Sequence, residues 1–225
     1  MTIRIPGIVV CLSGLVLACE SHADLEIAFD GMYLHEQVTR SYVLGDAWDS
    51  PHREGGTGTM SGILSFNDGE LLTLCMELKQ PASHSSAAYQ ARSFTEFGSQ
   101  FFDRSLVLTS LFDKYWDETI ESDSRSMASA FAMMTWEIML EGFSMPGSLF
   151  DQISISKGAV QFSDVSIEAI AHYQEMSNHL YTADSSDGLV AYTHPALQDQ
   201  VGVIPSPSIL AVFALAGLRQ RRRRS

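Results

Sequence analysis

The sequence predicts an α+β fold: antiparallel, sandwich-like strands with a buried helical middle segment, then a short C-terminal membrane helix. Three observations carry that expectation. Apolar residues alternate in the early part of the chain. From about residue 103 the spacing of apolar residues becomes helical. The last residues order themselves as Pro-Ser-Pro, an apolar run and an arginine block. Strands followed by helices and a returning strand point to α+β rather than to a doubly wound α/β arrangement.

In chain order, "DLEIAFDGMYL" alternates Leu25, Ile27 and Phe29 and predicts a strand. Residues 46–58 ("DAWDSPHREGGTG") predict a loop, because Gly, Asp and Pro dominate. "TMSGILSF" and "LLTLCMEL" flank Asn67-Asp68-Gly69-Glu70, which predicts a hairpin. "HSSAAYQARSF" reads as a loop returning as a strand. Over 103–119, Leu108, Leu111, Phe112 and Tyr115 share one helical face. A second helix follows, with Asp123 or Ser124 as its cap and Gly142 as its stop. Met127, Phe131, Met134 and Ile138 line one of its faces, and Ala128, Ala132 and Trp136 the next, so it belongs deep in the fold. A third helix begins after Ser163 and buries Val165, Ala169, Tyr173, Met176 and Leu180. "GLVAYTH" predicts a late strand, and "PALQDQVGVIP" follows it.

The two ends differ from the body. The N-terminus places Arg4 before an apolar run from Ile8 to Ala18, then Ser21-His22-Ala23. That is the layout of a secretory signal peptide over 1–23, cut between Ala23 and Asp24. Val16-Leu17-Ala18-Cys19 offers a lipoprotein cut as the alternative. The body, 24–203, is strongly acidic: 26 of the 27 acidic residues lie between the two ends, against eight of the 14 basic ones. Phosphate binding needs clustered Lys and Arg on the folded body, so nucleic acid is not an expected partner. Removing 1–23 leaves Cys75 as the single cysteine, and hence no disulfide within the chain.

At 204–225, Pro205 and Pro207 discourage a helix before Ser208. A helix over 208–218 would span roughly 16 Å at the usual rise, against a hydrocarbon layer of about 30 Å. Arg219, Arg221, Arg222, Arg223 and Arg224 close part of that gap by snorkelling and orient the segment with its end in the cytoplasm. Ile204-Pro205-Ser206-Pro207-Ser208, the apolar run and the arginine block together resemble a PEP-CTERM sorting signal. The resemblance implies export and processing by a membrane protease of the exosortase type. Ser206 stands where that signal usually has Glu.

The body resembles an exported domain that recurs in front of such sorting signals and is related to the thioester domains of bacterial surface adhesins. Leu74-Cys75-Met76-Glu77, the helix from Ala130 to Ile138 with Trp136-Glu137, and Gln198-Asp199-Gln200 carry that likeness. In those domains a Cys and a helix Gln join as an internal thioester, which acylates amines. Ala132 occupies the Gln position here, so that cross-link has no amide to form from.

Cys75 is the candidate reactive thiol, and a small buried strand residue is its simpler reading. A reactive thiol needs a cationic or histidine neighbour; His84 and His172 are available in the chain, and Gln80 and Gln161 are the other amides considered. His172, Glu175 and His179 share one helix face, and Asp184 to Gly188 carries oxygen ligands before a glycine. A solvated face and a capped turn explain both without metal. Trp116 and Trp136 fall on apolar faces and read as core. The sequence thus predicts an exported, non-enzymatic surface or matrix protein, with no metal, no cofactor and no catalytic residues. Exosortase, the membrane and exopolysaccharide are its expected partners, and a cysteine-dependent activity through Cys75 is the alternative.

Overall fold

The computed structural model describes residues 24–43, 55–69, 71–76, 78, 80–142 and 149–203. The signal-peptide reading, including Ala23, and the sorting-signal residues Pro205, Ser206, Pro207, Ser208, Arg219 and Arg221 to Arg224 lie outside them. The expected membrane helix lies there too; no described helix is long and apolar enough to cross a membrane.

The described body is α+β. Its strands are β1 (Asp24–Ile27), β2 (Phe29–Val43), β3 (Gly55–Phe66), β4 (Leu71–Cys75), β5 (Ala87–Arg92), β6 (Val160–Ser163), β7 (Leu189–Thr193) and β8 (Gln200–Val203). Its helices are α1 (Ser99–Glu121), α2 (Arg125–Leu140) and α3 (Ile167–His179), with a 3-10 turn at Phe94–Phe97. All strand pairs are antiparallel, in the order β1-β5-β7-β8-β4-β3-β2-β6. Where a sandwich would have two separate sheets, β4 joins the two halves. Its Leu71, Leu72 and Thr73 pair with β3, and its Leu74 and Cys75 pair with β8.

The stretch read as one strand at the start of the body is two. Ala28 alone separates β1, at one end of the strand order, from β2, near the other. One residue spans at most about 3.6 Å, so the sheet curls until those positions meet. The β3–β4 turn clasps the junction. Asn67 Oδ1 accepts from Ala28 N (2.9 Å), its Nδ2 donates to Glu26 O (3.2 Å), and its own N donates to Ala28 O (3.0 Å). Asn67, Asp68 and Gly69 all have left-handed φ (54°, 58° and 85°), a conformation these residue types tolerate.

α2 is the centre of the body. Ser124 caps it, accepting from Met127 N at 3.2 Å. Every residue from Met127 to Leu140 is buried. β2, β3, α1 and α3 all pack against it, which explains why it is apolar all round. Its Phe131 meets Phe112 and Trp116 of α1 edge-on.

Two boundaries differ from the sequence expectation, while the start of β1 agrees with it. Ser163 ends β6 rather than capping α3, because Val160 and Phe162 turn inward and complete a four-residue strand on β2. Asp164 turns the chain with φ 58°, and Ser166 is the cap, accepting from Ala169 N at 3.1 Å. Gly55 to Gly58, read as loop, begin β3 instead, paired with Arg40 to Val43. Asp24, the residue after the expected cut, opens β1 opposite Gln90.

Candidate functional site

Cys75 ends β4 directly opposite Gln200 of β8. Cross-strand partners in an antiparallel pair project to the same face, and Thr73, two residues back, shares it. Thr73 Oγ1 donates to Gln200 Oε1 at 3.3 Å. Gln200 is fully buried, and its Nε2 donates to Gln198 O (2.9 Å) and Gln198 Oε1 (3.3 Å). Gln198 N donates to Pro81 O, and Met76 N to Asp199 O. The Leu-Cys strand and the Gln-Asp-Gln segment, far apart in sequence, are thereby stitched together.

A cavity of about 180 Å³ opens beside them. Cys75, Trp136, Gln198 and Arg40 line it, with apolar walls from Phe29, Met32 and Leu64. Trp136 comes from α2, so the three motifs of the thioester resemblance converge on one cavity. The Arg40 guanidinium lies 4.5 Å from the centre of the Trp136 ring. Arg40 Nη1 also donates to the Met60 carbonyl. Gly62 lets β3 approach β2 closely here: a Cβ at that position would collide with the Leu34 carbonyl. Trp136 Nε1 is buried with no hydrogen-bond partner among the described residues.

The thiol is buried, as its simpler reading has it. The neighbour supplied to it is not a histidine. His84 Nδ1 bonds Phe29 O (2.8 Å) on the exposed outer side, and His172 lies on α3; neither lines the cavity. Arg40 does, a residue the sequence did not single out because it stands alone in the polar stretch of β2. Gln80 and Gln161 do not line it either, whereas Gln198 does. Ala132 is buried within α2 and offers no amide. Glu77 lies outside the described residues.

A second polar cluster lies on the same helix. Glu137 and Glu141 are one turn apart on an otherwise apolar segment, and both are buried. Glu141 Oε1 accepts from Ala159 N (2.6 Å) and Val160 N (3.1 Å). Glu137 Oε2 accepts from Ser154 N (3.2 Å). The two carboxyls thus hold the 149–160 segment against α2. Gly158, at φ 97°, sits so close that a Cβ would strike the Glu141 carboxyl. Buried Arg104 of α1 donates to Ile138 O at 2.7 Å. Burial lowers its pKa to about 10 against the opposing pull of Glu141.

Burial pushes the Glu137 carboxyl up to about 9, and the charge of Glu141 adds to that, while the Ser154 N–H opposes it. Glu137 is therefore a neutral acid at pH 7. Glu141 is also raised by burial, opposed by its two N–H donors and Arg104. Tyr173 of α3 is raised by burial and by the nearby Glu137 and Glu141 carboxyls. The Tyr173 hydroxyl and the Glu137 carboxyl face one another, and this side-chain interaction lowers the Glu137 pKa and raises that of Tyr173, although the two atoms are too poorly aligned for a good hydrogen bond. The sequence signal for this cluster was a Glu pair at i, i+4 at the end of a largely apolar helix, Glu137 in its last turn and Glu141 just past it; buried carboxylates need partners, and the spacing identifies the face that supplies them.

Of the remaining candidates, His179 Nδ1 lies 2.8 Å from Glu175 O and 3.1 Å from Tyr115 Oη. Among the described residues no group of three His, Cys, Asp or Glu side chains is placed to hold a metal. Trp116 stacks on Phe112, and Trp136 stacks on Phe162 of β6. Comparison with protein-family models, curated proteins and solved structures returned no match.

Proposed function

We propose that the chain is an exported bacterial surface or exopolysaccharide-matrix protein of structural or adhesive type. Its C-terminal segment would anchor it transiently in the membrane as a short helix until an exosortase-type protease cuts it there. The carrying observation is the order Pro205-Ser206-Pro207-Ser208, apolar run, Arg219 to Arg224, behind an N-terminus laid out as a signal peptide. The acidic charge of the body agrees with work away from nucleic acid. The two halves of the curled sheet, joined at β4, serve in this reading as the sandwich-like scaffold. A reporter fused to the body tests it: the reading requires activity outside the inner membrane, and a signal confined to the cytoplasm in an export-competent strain contradicts it.

One observation favours a second reading, a thioester-like activity through Cys75. The amide missing at Ala132 has a counterpart in Gln198 on the wall of the same cavity. Attack of the thiolate on the Gln198 side-chain carbonyl would release ammonia and leave a thioester, which an amine would reopen. Iodoacetamide labelling decides it. A thioester leaves Cys75 unlabelled in denaturant until methylamine is added, and the intact mass is lower by one ammonia. Immediate labelling in denaturant at full mass removes this reading.

A further inference from the structure

A cleft of about 660 Å³ opens where α2 and α3 begin, beside the part of β2 that precedes its Thr39–Tyr42 pairing with β6. Its wall is formed by His35, Glu36 and Gln37 of β2, Arg125 at the start of α2, and Asp164 and Ser166 before α3. We propose that this cleft binds a neutral, hydroxyl-rich saccharide. The inference deepens the matrix reading and rests on it for the source of the ligand.

Three features carry it. The volume falls within the range of about 300–1,000 Å³ usual for ligand clefts. Val165 is the aliphatic residue on its wall; the other lining residues are of polar or charged type, and their stems leave apolar surface beside their polar atoms. The wall carries both donors (Arg125, the Gln37 amide) and acceptors (Glu36, Asp164, the Ser166 hydroxyl), and a sugar hydroxyl, which both donates and accepts, can use either. Carboxylates and a guanidinium on one wall favour a ligand of little net charge over a polyanion or polycation.

The wall is also pre-arranged. Ser166 Oγ donates to Glu36 Oε2 at 2.7 Å while it caps α3 through Ala169 N. Asp164 is held with φ 58° at the turn between β6 and α3. β6 pairs only with Thr39 to Tyr42, so β2 has no strand partner on that side at His35 to Gln37 among the described residues. An added peptide strand is the rival occupant, but register shifts at Met32/Leu34 and Gln37/Arg40 bracket that stretch and leave too short a regular edge for it.

The test uses the purified full-length chain in detergent and saturation-transfer NMR with neutral glucan, galactan and mannan hexasaccharides. The expected result is binding of at least one of them, weakened at least tenfold in R125A and in D164N. Asn tolerates the left-handed turn, so D164N removes the charge and keeps the backbone. Circular dichroism verifies both folds, and D113N, on the exposed side of α1, serves as the binding control. Binding unchanged in both cleft variants, no binding to any of the sugars, or binding of an extended peptide instead would each overturn the proposal. The assay needs no export, so it fails independently of the reporter experiment.

Discussion

α2 presents two polar regions that differ in one respect. Glu137 and Glu141 reach a compact cluster closed by backbone N–H groups, Arg104 and Tyr173. Trp136, their neighbour in sequence, reaches a cavity that Cys75, Arg40 and Gln198 leave open. The first is polar because the 149–160 segment needs acceptors for its N–H groups; the second holds a thiol, a cation and an amide around unfilled space. Burial with partners makes a brace, and burial with space makes a place where a ligand or a bond can form.

The largest effect that separates the two is the pH dependence of stability. Glu137 carries a folded pKa near 9, above its unfolded value of about 4.5. Between those values the folded state keeps a proton that the unfolded state has lost. Stability is therefore full below the unfolded pKa and falls as pH rises toward the folded one, by up to about 1.4 kcal/mol per unit. Urea unfolding at pH 5 and pH 8 measures the slope. E137Q should flatten it and unfold at higher urea at pH 8; an equal slope in the variant would show that the carboxyl is not held neutral.

Next in size is Glu141. E141A strands the Ala159 and Val160 N–H groups and the Arg104 charge, and should cost about 3 kcal/mol in the same assay. A loss under about 1 kcal/mol would show that the brace is not needed.

The cavity predicts kinetics instead. R40Q removes the cation on the wall of the cavity that Cys75 lines and should slow iodoacetamide labelling of the native chain several-fold, with little change in labelling under denaturant. Faster labelling of the native chain, with denatured labelling unchanged, would mean that Arg40 only closes the cavity. The smallest effect is local: S124A loses the α2 cap and should cost about 1 kcal/mol, without altering the pH slope or the labelling rate.

The sequence made the comparison only half legible. α2 announced its depth, because a helix apolar on every side has nowhere to go but the centre. The β3–β4 hairpin was equally plain, since Asn-Asp-Gly admits left-handed φ where alternating runs meet. β6 was not: four residues carry too little alternation to be read, and Ser163 resembles a helix cap. Most of β2 was hidden because its register shifts and polar residues break the period of two. The Cys, Trp-Glu and Gln-Asp-Gln motifs were visible singly. Their meeting depends on β8 returning beside β4, a long-range pairing that no local pattern encodes. Arg40 and Gln198 were passed over as wall residues for the same reason.

The central claim is that this acidic body works outside the cytoplasm after both ends have been processed. The intact mass of the native protein recovered from the cell envelope tests it most directly. The account predicts a chain that begins at Asp24 and has lost the residues after the Pro-Ser-Pro segment. A full-length chain that still carries Arg221 to Arg224, recovered in the cytosol, would contradict it.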